Sequence, residues 1–164
     1  MTEARANLTI KPAPVKKSVS VNATPERAFE VFANRFDAWW PRSHSIGDSP
    51  LKEAVIEGRA GGRWFGRLED GTEADWGEVL AWEPPQRLLL AWRIGADWKY
   101  DPDLLTEVEV TYTPEVGGAT RVELEHRHLE RMGEGAEGAR AAFDSDGGWN
   151  GLLRLFAELA EQAS

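Results

Sequence analysis

The chain has 164 residues and sets 19 Lys plus Arg against 28 Asp plus Glu, a formal net charge of −9. That balance argues against general phosphate-backbone binding, which needs clustered cations, and against an anionic membrane surface, so neither nucleic acid nor membrane is an expected partner. With 0 Cys, disulfides, thiolate catalysis and Cys-ligated metal sites are excluded.

A hydrophobic fraction of 41% and a charged fraction of 29% are those of a globular chain. The length suits one domain with a real core. The longest strongly apolar run, residues 88–92, falls far short of the ~20 residues that span a bilayer as a helix. Residues 1–14 carry no apolar stretch of the secretory kind, so the cytoplasm is the expected compartment. The odd feature is aromatic: 8 Trp, 6 Phe and 2 Tyr. Each ring brings ~150–250 Å² of surface to bury, which calls for a heavy core or an aromatic-walled cavity.

Residues 1–14 read as a flexible tail, because Lys11-Pro12-Ala13-Pro14 has neither periodicity nor a core face; residues 15–164 read as a single domain. Val15, Val19 and Val21 predict a first strand, at a sheet edge. Thr24-Pro25 then supplies a hydroxyl N-cap and a proline at the first helical position. Ala28, Phe29, Phe32 and Phe36 recur at three- and four-residue spacing, so the helix buries one stripe. Trp39-Trp40-Pro41 ends it, and residues 42–50 form a loop or a second short helix.

A run of strands follows. Ala54, Ile56 and Gly58 open one, and Gly61-Gly62 mark a place where a side chain would obstruct the backbone. Residues 63–68 form the next, closed by the hairpin signal Asp70-Gly71. Residues 76–82 return, Pro84-Pro85 break the run, and residues 87–94 resume it. Over residues 104–113, Val108, Val110 and Tyr112 alternate with Glu107, Glu109 and Thr111, the cleanest half-buried strand in the chain. Gly117-Gly118 turn it into residues 120–128, where Val122, Leu124 and His126 share a face.

Residues 129–146 lapse into Gly, Glu and Ala; Gly133, Gly135 and Gly138 weaken any helix, and the stretch reads as an acidic loop or a lid. A last helix is expected from an N-cap at Asp146, with Trp149, Leu152, Leu153, Phe156, Leu159 and Ala160 as its apolar stripe. This order of elements is that of an α+β domain whose final helix covers an antiparallel sheet.

Several segments in that order resemble one superfamily. They are Ala23-Thr24-Pro25-Glu26-Arg27-Ala28-Phe29-Glu30-Val31-Phe32, Gly61-Gly62-Arg63-Trp64-Phe65, Asp70-Gly71, Trp76-Gly77-Glu78-Val79 and Glu83-Pro84-Pro85-Gln86-Arg87-Leu88. Ala91-Trp92, Thr120-Arg121-Val122-Glu123-Leu124-Glu125-His126 and the segment from Gly148-Trp149 to Leu153 complete the set. Together they are similar to the SRPBCC (START-like, helix-grip) superfamily. Within it they resemble the branch homologous to the C-terminal domain of the activator of heat-shock protein 90 ATPase.

The resemblance implies a curved antiparallel sheet of six or seven strands gripping a long C-terminal helix, with one or two short helices after the first strand. It also implies an elongated cavity for an apolar or amphipathic small molecule. Members include lipid carriers, polyketide cyclases, hydrolase-like self-resistance proteins and the co-chaperone domain, so the fold narrows function only modestly.

A bent sheet and one helix cannot touch everywhere, and side chains either fill the gap or line it. Trp39, Trp40, Trp64, Trp76, Trp92 and Trp149 are the natural lining, with Leu152, Leu153 and Phe156 from the last helix and Tyr112 and His126 as polar handles. Each indole serves equally well as plain core, and bulges can turn Trp64 or Trp82 outward.

His126 and His128 lie two apart on one predicted strand and His44 can approach from its loop. Without a His-Glu-x-x-His spacing, a hydrogen-bonded buried His126 is the plainer expectation, and no metal or cofactor is expected. Asp97, Asp101 and Asp103 read as turn caps. Arg63 and Arg93 read first as outward-facing cations, with an inward guanidinium holding a ligand carboxylate as the alternative. No catalytic residue is assigned. The favoured expectation is a non-enzymatic module, monomer or homodimer, that encloses a hydrophobic or amphipathic molecule. A cyclase, dehydratase or hydrolase using His126 or a cavity acid is the alternative. A chaperone-associated interaction domain is the third, disfavoured because only a short tail precedes Val15.

Overall fold

The computed structural model describes residues 12–162, so most of the expected tail lies outside the described residues. Seven strands form one antiparallel sheet: β1 (Val15–Val21), β2 (Leu51–Ile56), β3 (Arg63–Leu68), β4 (Glu73–Glu83), β5 (Arg87–Trp92), β6 (Thr106–Pro114) and β7 (Thr120–Arg127). Their spatial order is β1-β7-β6-β5-β4-β3-β2. The strands after β2 form a meander of neighbours, and β1 closes it as an edge strand beside β7, with Val15 opposite His126 and Val21 opposite Thr120.

Register shifts at Leu51/Glu53, Trp64/Phe65 and Val79/Ala81 insert bulges into the β2–β3, β3–β4 and β4–β5 pairings, and bulges bend the strands that carry them. They turn neither indole outward: Trp64 is fully buried, and Trp82 lies edge-on against Phe29 at 4.9 Å.

Alternation decides the two faces of the sheet. Val108, Val110, Tyr112, Val122, Leu124 and His126 face the core. Opposite them, Glu109 is shared by Arg87 and Arg127, Arg93 grips Glu78, and Arg63 pairs with Glu73 and Asp75. Arg63 and Arg93 therefore face outward onto carboxylates.

The connection from β1 to β2 begins as expected. Thr24 Oγ1 accepts from Arg27 N at 3.1 Å, and Pro25 opens helix α1 (Pro25–Phe29). A single regular helix does not continue. A π-helical turn spans Glu30–Asn34, closed by Arg35 N to Glu30 O at 3.0 Å, before helix α2 (Phe36–Trp39). Widening the turn frees carbonyls, and the Trp39 indole N–H satisfies them, 3.1 Å from Val31 O and 3.3 Å from Phe32 O. Ala28, Phe29, Phe32 and Phe36 are all buried, as their spacing predicts.

Two expectations are corrected near the C-terminus. The Gly-rich stretch is not a loop: a 3₁₀ segment, Leu129–Gly135, leads into helix α3 (Ala136–Asp144), which buries Ala136, Ala139 and Phe143. Only Gly138 falls within that helix; Gly133, at φ 75, makes the kink before it. The last helix, α4 (Trp149–Ala160), starts later than Asp146, and Gly148 stands at its N-cap with no side-chain cap. A Cβ on Gly148 would lie 2.3 Å from Ala142 O and 2.4 Å from Phe143 O, so α3 and α4 meet too closely for any other residue. Asp146 instead accepts from the Asn150 side chain at 2.6 Å.

The α4 stripe packs into the curl of the sheet, with Trp149, Leu152, Leu153, Phe156, Ala157 and Ala160 buried. Each large side chain there contributes ~1.5–3 kcal/mol by leaving water. The other end of α4 is tied to α1, where Arg27 donates to Gln162 O at 2.9 Å and to Leu159 O and Ala160 O at 3.4 Å. Among the described residues no helix is long and apolar enough to cross a membrane.

Candidate ligand-binding site

Between the curl of the sheet and the start of α4 lies a recess of about 360 Å³. β4 and β5 supply Trp76 and Trp92, the end of α2 supplies Trp40, and α4 supplies Trp149 and Leu152. Ile94 and Trp98 close it from the β5–β6 connection, Ser43 to Ile46 from the α2–β2 loop, and Ala142, Phe143, Ser145, Gly147 and Gly148 from the α3–α4 corner.

The wall is a continuous aromatic lattice. Trp40 lies 5.6 Å from Trp76 and 6.1 Å from Trp149, and Trp92 lies 6.1 Å from Trp149 and 5.3 Å from Phe143, ring centre to ring centre. Three indoles turn their N–H groups to protein acceptors: Trp40 to His44 O at 2.7 Å, Trp92 to Ile94 O at 2.9 Å and Trp149 to His126 Nδ1 at 3.1 Å. Their carbon surface is what remains for the recess. The Trp76 N–H is buried without a partner.

Trp98 stands at the mouth, 49% exposed and edge-on to Phe143 at 5.9 Å. Its φ of 61 lies in the left-handed region, a strained place for a bulky side chain. The turn holds it there, with Trp98 N bonded to Gly95 O at 2.9 Å and Lys99 N to Asp97 Oδ1 at 3.1 Å. Asp101 caps Asp103 N in the same way at 2.9 Å, so these two aspartates act as turn caps.

His126 lies behind the wall, fully buried. The indole N–H of Trp149 can only donate, so Nδ1 is the acceptor and the proton sits on Nε2. From there it is donated to Thr106 Oγ1 at 3.0 Å, which donates in turn to Trp92 O at 2.9 Å. Burial lowers the imidazole pKa from 6.5 to about 3, and the ring is neutral. His128 does not share its face. At φ 66 it turns out of the strand, half-exposed, 3.7 Å from Glu107 and 4.0 Å from Glu130.

Of the residues that sequence points to, Trp40, Trp76, Trp92, Trp149 and Leu152 border the recess. Trp39, Trp64, Tyr112, Leu153 and Phe156 sit in the packed core, and His126 one layer back. Phe156 packs on Phe32 at 5.3 Å and Trp39 at 5.8 Å, filling the space deeper in the curl. Tyr112 meets Phe29 at 5.2 Å; its hydroxyl has no partner, and burial pushes its pKa up.

Sequence reading did not place Trp98, Phe143, Ser43, Ser45 or Ser145 here. Phe143 had a signal, since Ala136, Ala139 and Phe143 follow a helical spacing inside the Gly-rich stretch.

The family described as Activator of Hsp90 ATPase homolog 1-like protein matches residues 22–161. Among solved structures, the anthrahydroquino-gamma-pyrone synthase Txn09, complexed with SUM, is 40% identical. The match has a TM-score of 0.64 and covers 91% of this chain and 97% of that one. The self-sacrificing resistance protein CalC from Micromonospora echinospora is 31% identical at a TM-score of 0.69, over 92% of this chain and 95% of its own. The Aha1 dimer from Colwellia psychrerythraea, 14% identical at a TM-score of 0.61 over 92% of this chain and 98% of that one, shares the fold. None of the curated proteins compared with the chain matches it. A helix-grip sheet and helix, together with a family match over residues 22–161, place this chain in the family of activator of Hsp90 ATPase homolog 1-like proteins.

Proposed function

We propose that this protein binds a flat aromatic small molecule in the recess between Trp76, Trp92 and Trp149. The observation that carries this reading is the direction of the indole N–H groups. Trp40, Trp92 and Trp149 each spend theirs on a protein acceptor and leave ring carbon as the wall. Such a wall rewards a planar, apolar guest by offset and edge-on contact. Burying ~300 Å² of guest at ~25 cal/mol/Å² yields about 7.5 kcal/mol before costs. Association removes at least ~4 kcal/mol, so placed polar groups must supply the rest.

Catalysis on the bound guest is a second reading, supported by the 40% identity with a synthase. If chemistry occurs, its acid–base group is not His126, whose ring nitrogens are both engaged behind the wall. Among the described residues, no carboxylate borders the recess, and His44 is its one ionisable side chain.

Titration with flat polycyclic aromatics, followed by tryptophan fluorescence, tests the binding reading. A saturable change with one equivalent bound in native mass spectrometry is expected. A flat response across planar aromatic, steroid and fatty-acid probes overturns it.

A further inference from the structure

The serine and histidine side chains on the rim of the recess share one character. Ser145 Oγ donates to Ala142 O at 2.6 Å and Ser45 Oγ to Ile46 O at 3.3 Å, so both hydroxyl hydrogens are committed. His44 Nε2 lies 2.7 Å from Gly147 O. A carbonyl only accepts, so the proton rests on Nε2 and Nδ1 carries the free lone pair. Ser43 Oγ, 3.0 Å from Nδ1, therefore donates to it.

The His44 backbone is fixed too, because Trp40 Nε1 donates to its carbonyl at 2.7 Å and the two rings meet edge-on at 5.9 Å. The serine hydroxyls and the His44 imidazole thus have lone pairs to offer and their hydrogens already placed, whereas the unpartnered N–H of the recess belongs to the Trp76 indole in its wall. A guest that hydrogen-bonds to them must bring the hydrogen.

We propose that the recess selects hydroxylated aromatics, phenols or enols, by accepting the guest's O–H on the Ser43–His44 pair. The inference rests on the binding reading above and narrows it to a ligand class. The guest's O–H donates to Ser43 Oγ, Ser43 donates to His44 Nδ1, and His44 Nε2–H donates to Gly147 O. The chain has one direction, set by the carbonyl at its end. An ether or an unsubstituted ring of the same shape forgoes the bond to Ser43 Oγ and binds more weakly by its worth.

The test compares 2-naphthol with 2-methoxynaphthalene by calorimetry on the full chain. A neutral hydrogen bond of this kind is worth about 5- to 10-fold in affinity, and the wild-type protein is expected to prefer the naphthol by that ratio. His44→Gln keeps an N–H for Gly147 but carries its amide oxygen beyond the Nδ1 position, so Ser43 loses its acceptor there; its ratio is expected to fall below about 2-fold. His44→Asn restores an oxygen near the position of Nδ1 and is expected to recover most of the preference. Ser43→Ala, on an exposed loop position, gives the same fall should His44→Gln not fold.

A preference unchanged in His44→Gln and Ser43→Ala overturns the proposal. So does a wild-type ratio near one with both probes bound, an outcome that leaves the binding reading intact. Failure of both probes to bind the wild-type protein overturns the two together.

Discussion

The indole N–H of Trp149 points at His126 Nδ1 from 3.1 Å, so one residue of the recess wall fixes the tautomer of the histidine buried behind it. The bond joins α4 to β7 and is extended through Thr106 to the backbone of β5. Its members are fully satisfied, which is the condition under which a buried polar chain stabilises a core.

Acid stability follows from that arrangement. The His126 pKa is depressed from 6.5 to about 3 in the folded protein. The unfolded chain therefore binds more protons between those limits, and stability falls as pH drops from about 6.5 toward about 3, by several kcal/mol in all. His126→Asn is expected to be less stable at neutral pH, with a shallower acid arm. Thermal melts of the two proteins from pH 7 to pH 4 measure the slopes; parallel slopes would show that His126 does not titrate on unfolding.

Filling the recess separates binding from folding. Ala142 lines the space from α3 and is only half-buried, so Ala142→Phe puts a ring into open volume rather than into packed core. Stability is expected to change by less than about 1 kcal/mol while binding of a planar aromatic probe is lost. Denaturant unfolding and a fluorescence titration on the same sample check both halves.

Trp98 combines strain with exposure. Its left-handed backbone costs ~1–3 kcal/mol, and the ring contributes an edge contact to Phe143 beside the mouth. Trp98→Ala is expected to weaken aromatic binding about 3- to 10-fold. Trp98→Gly should lose the same affinity yet be more stable than Trp98→Ala by about 1 kcal/mol, because glycine adopts φ 61 without strain. Equal stability of the two variants would mean that the turn relaxes when the ring is removed.

Glycines of opposite kind give opposite signs. A Cβ on Gly77 would lie 1.7 Å from Ala91 O across the β4–β5 pairing, and Gly77→Ala is expected to cost ~3 kcal/mol or more. Gly138, exposed within α3, has nothing within 4 Å of an added Cβ. Gly138→Ala is expected to add up to about 1 kcal/mol. Chemical denaturation of both variants is the measurement.

The strands were legible because alternation is local: Val108, Val110 and Tyr112 declare their face without reference to anything else. The π turn was not, because Glu30–Asn34 widens only where the Trp39 indole returns to take Val31 O and Phe32 O. Helix α3 was masked by glycines that prove to lie mostly before it. The indole wall was legible as a class, yet depth along α4 decides its members. Trp149 and Leu152 reach the recess, while Leu153 and Phe156 are buried in the core beyond it. Trp98 carried no periodic signal, standing alone in a polar turn.

Arg27 holds Leu159 O, Ala160 O and Gln162 O, so the last turn of α4 is clasped at the end opposite Trp149. At ~1.5 Å per residue, the clasp sits about 16 Å from the recess. The head of the helix is held as well, by the Trp149 N–H on His126 Nδ1 and by Gly148 close against the α3 carbonyls, so a guest meets a helix pinned at both ends and a wall set in place before it arrives. Amide protons of its middle turns, around Leu153 and Phe156, will then be the last of this helix to exchange with deuterium.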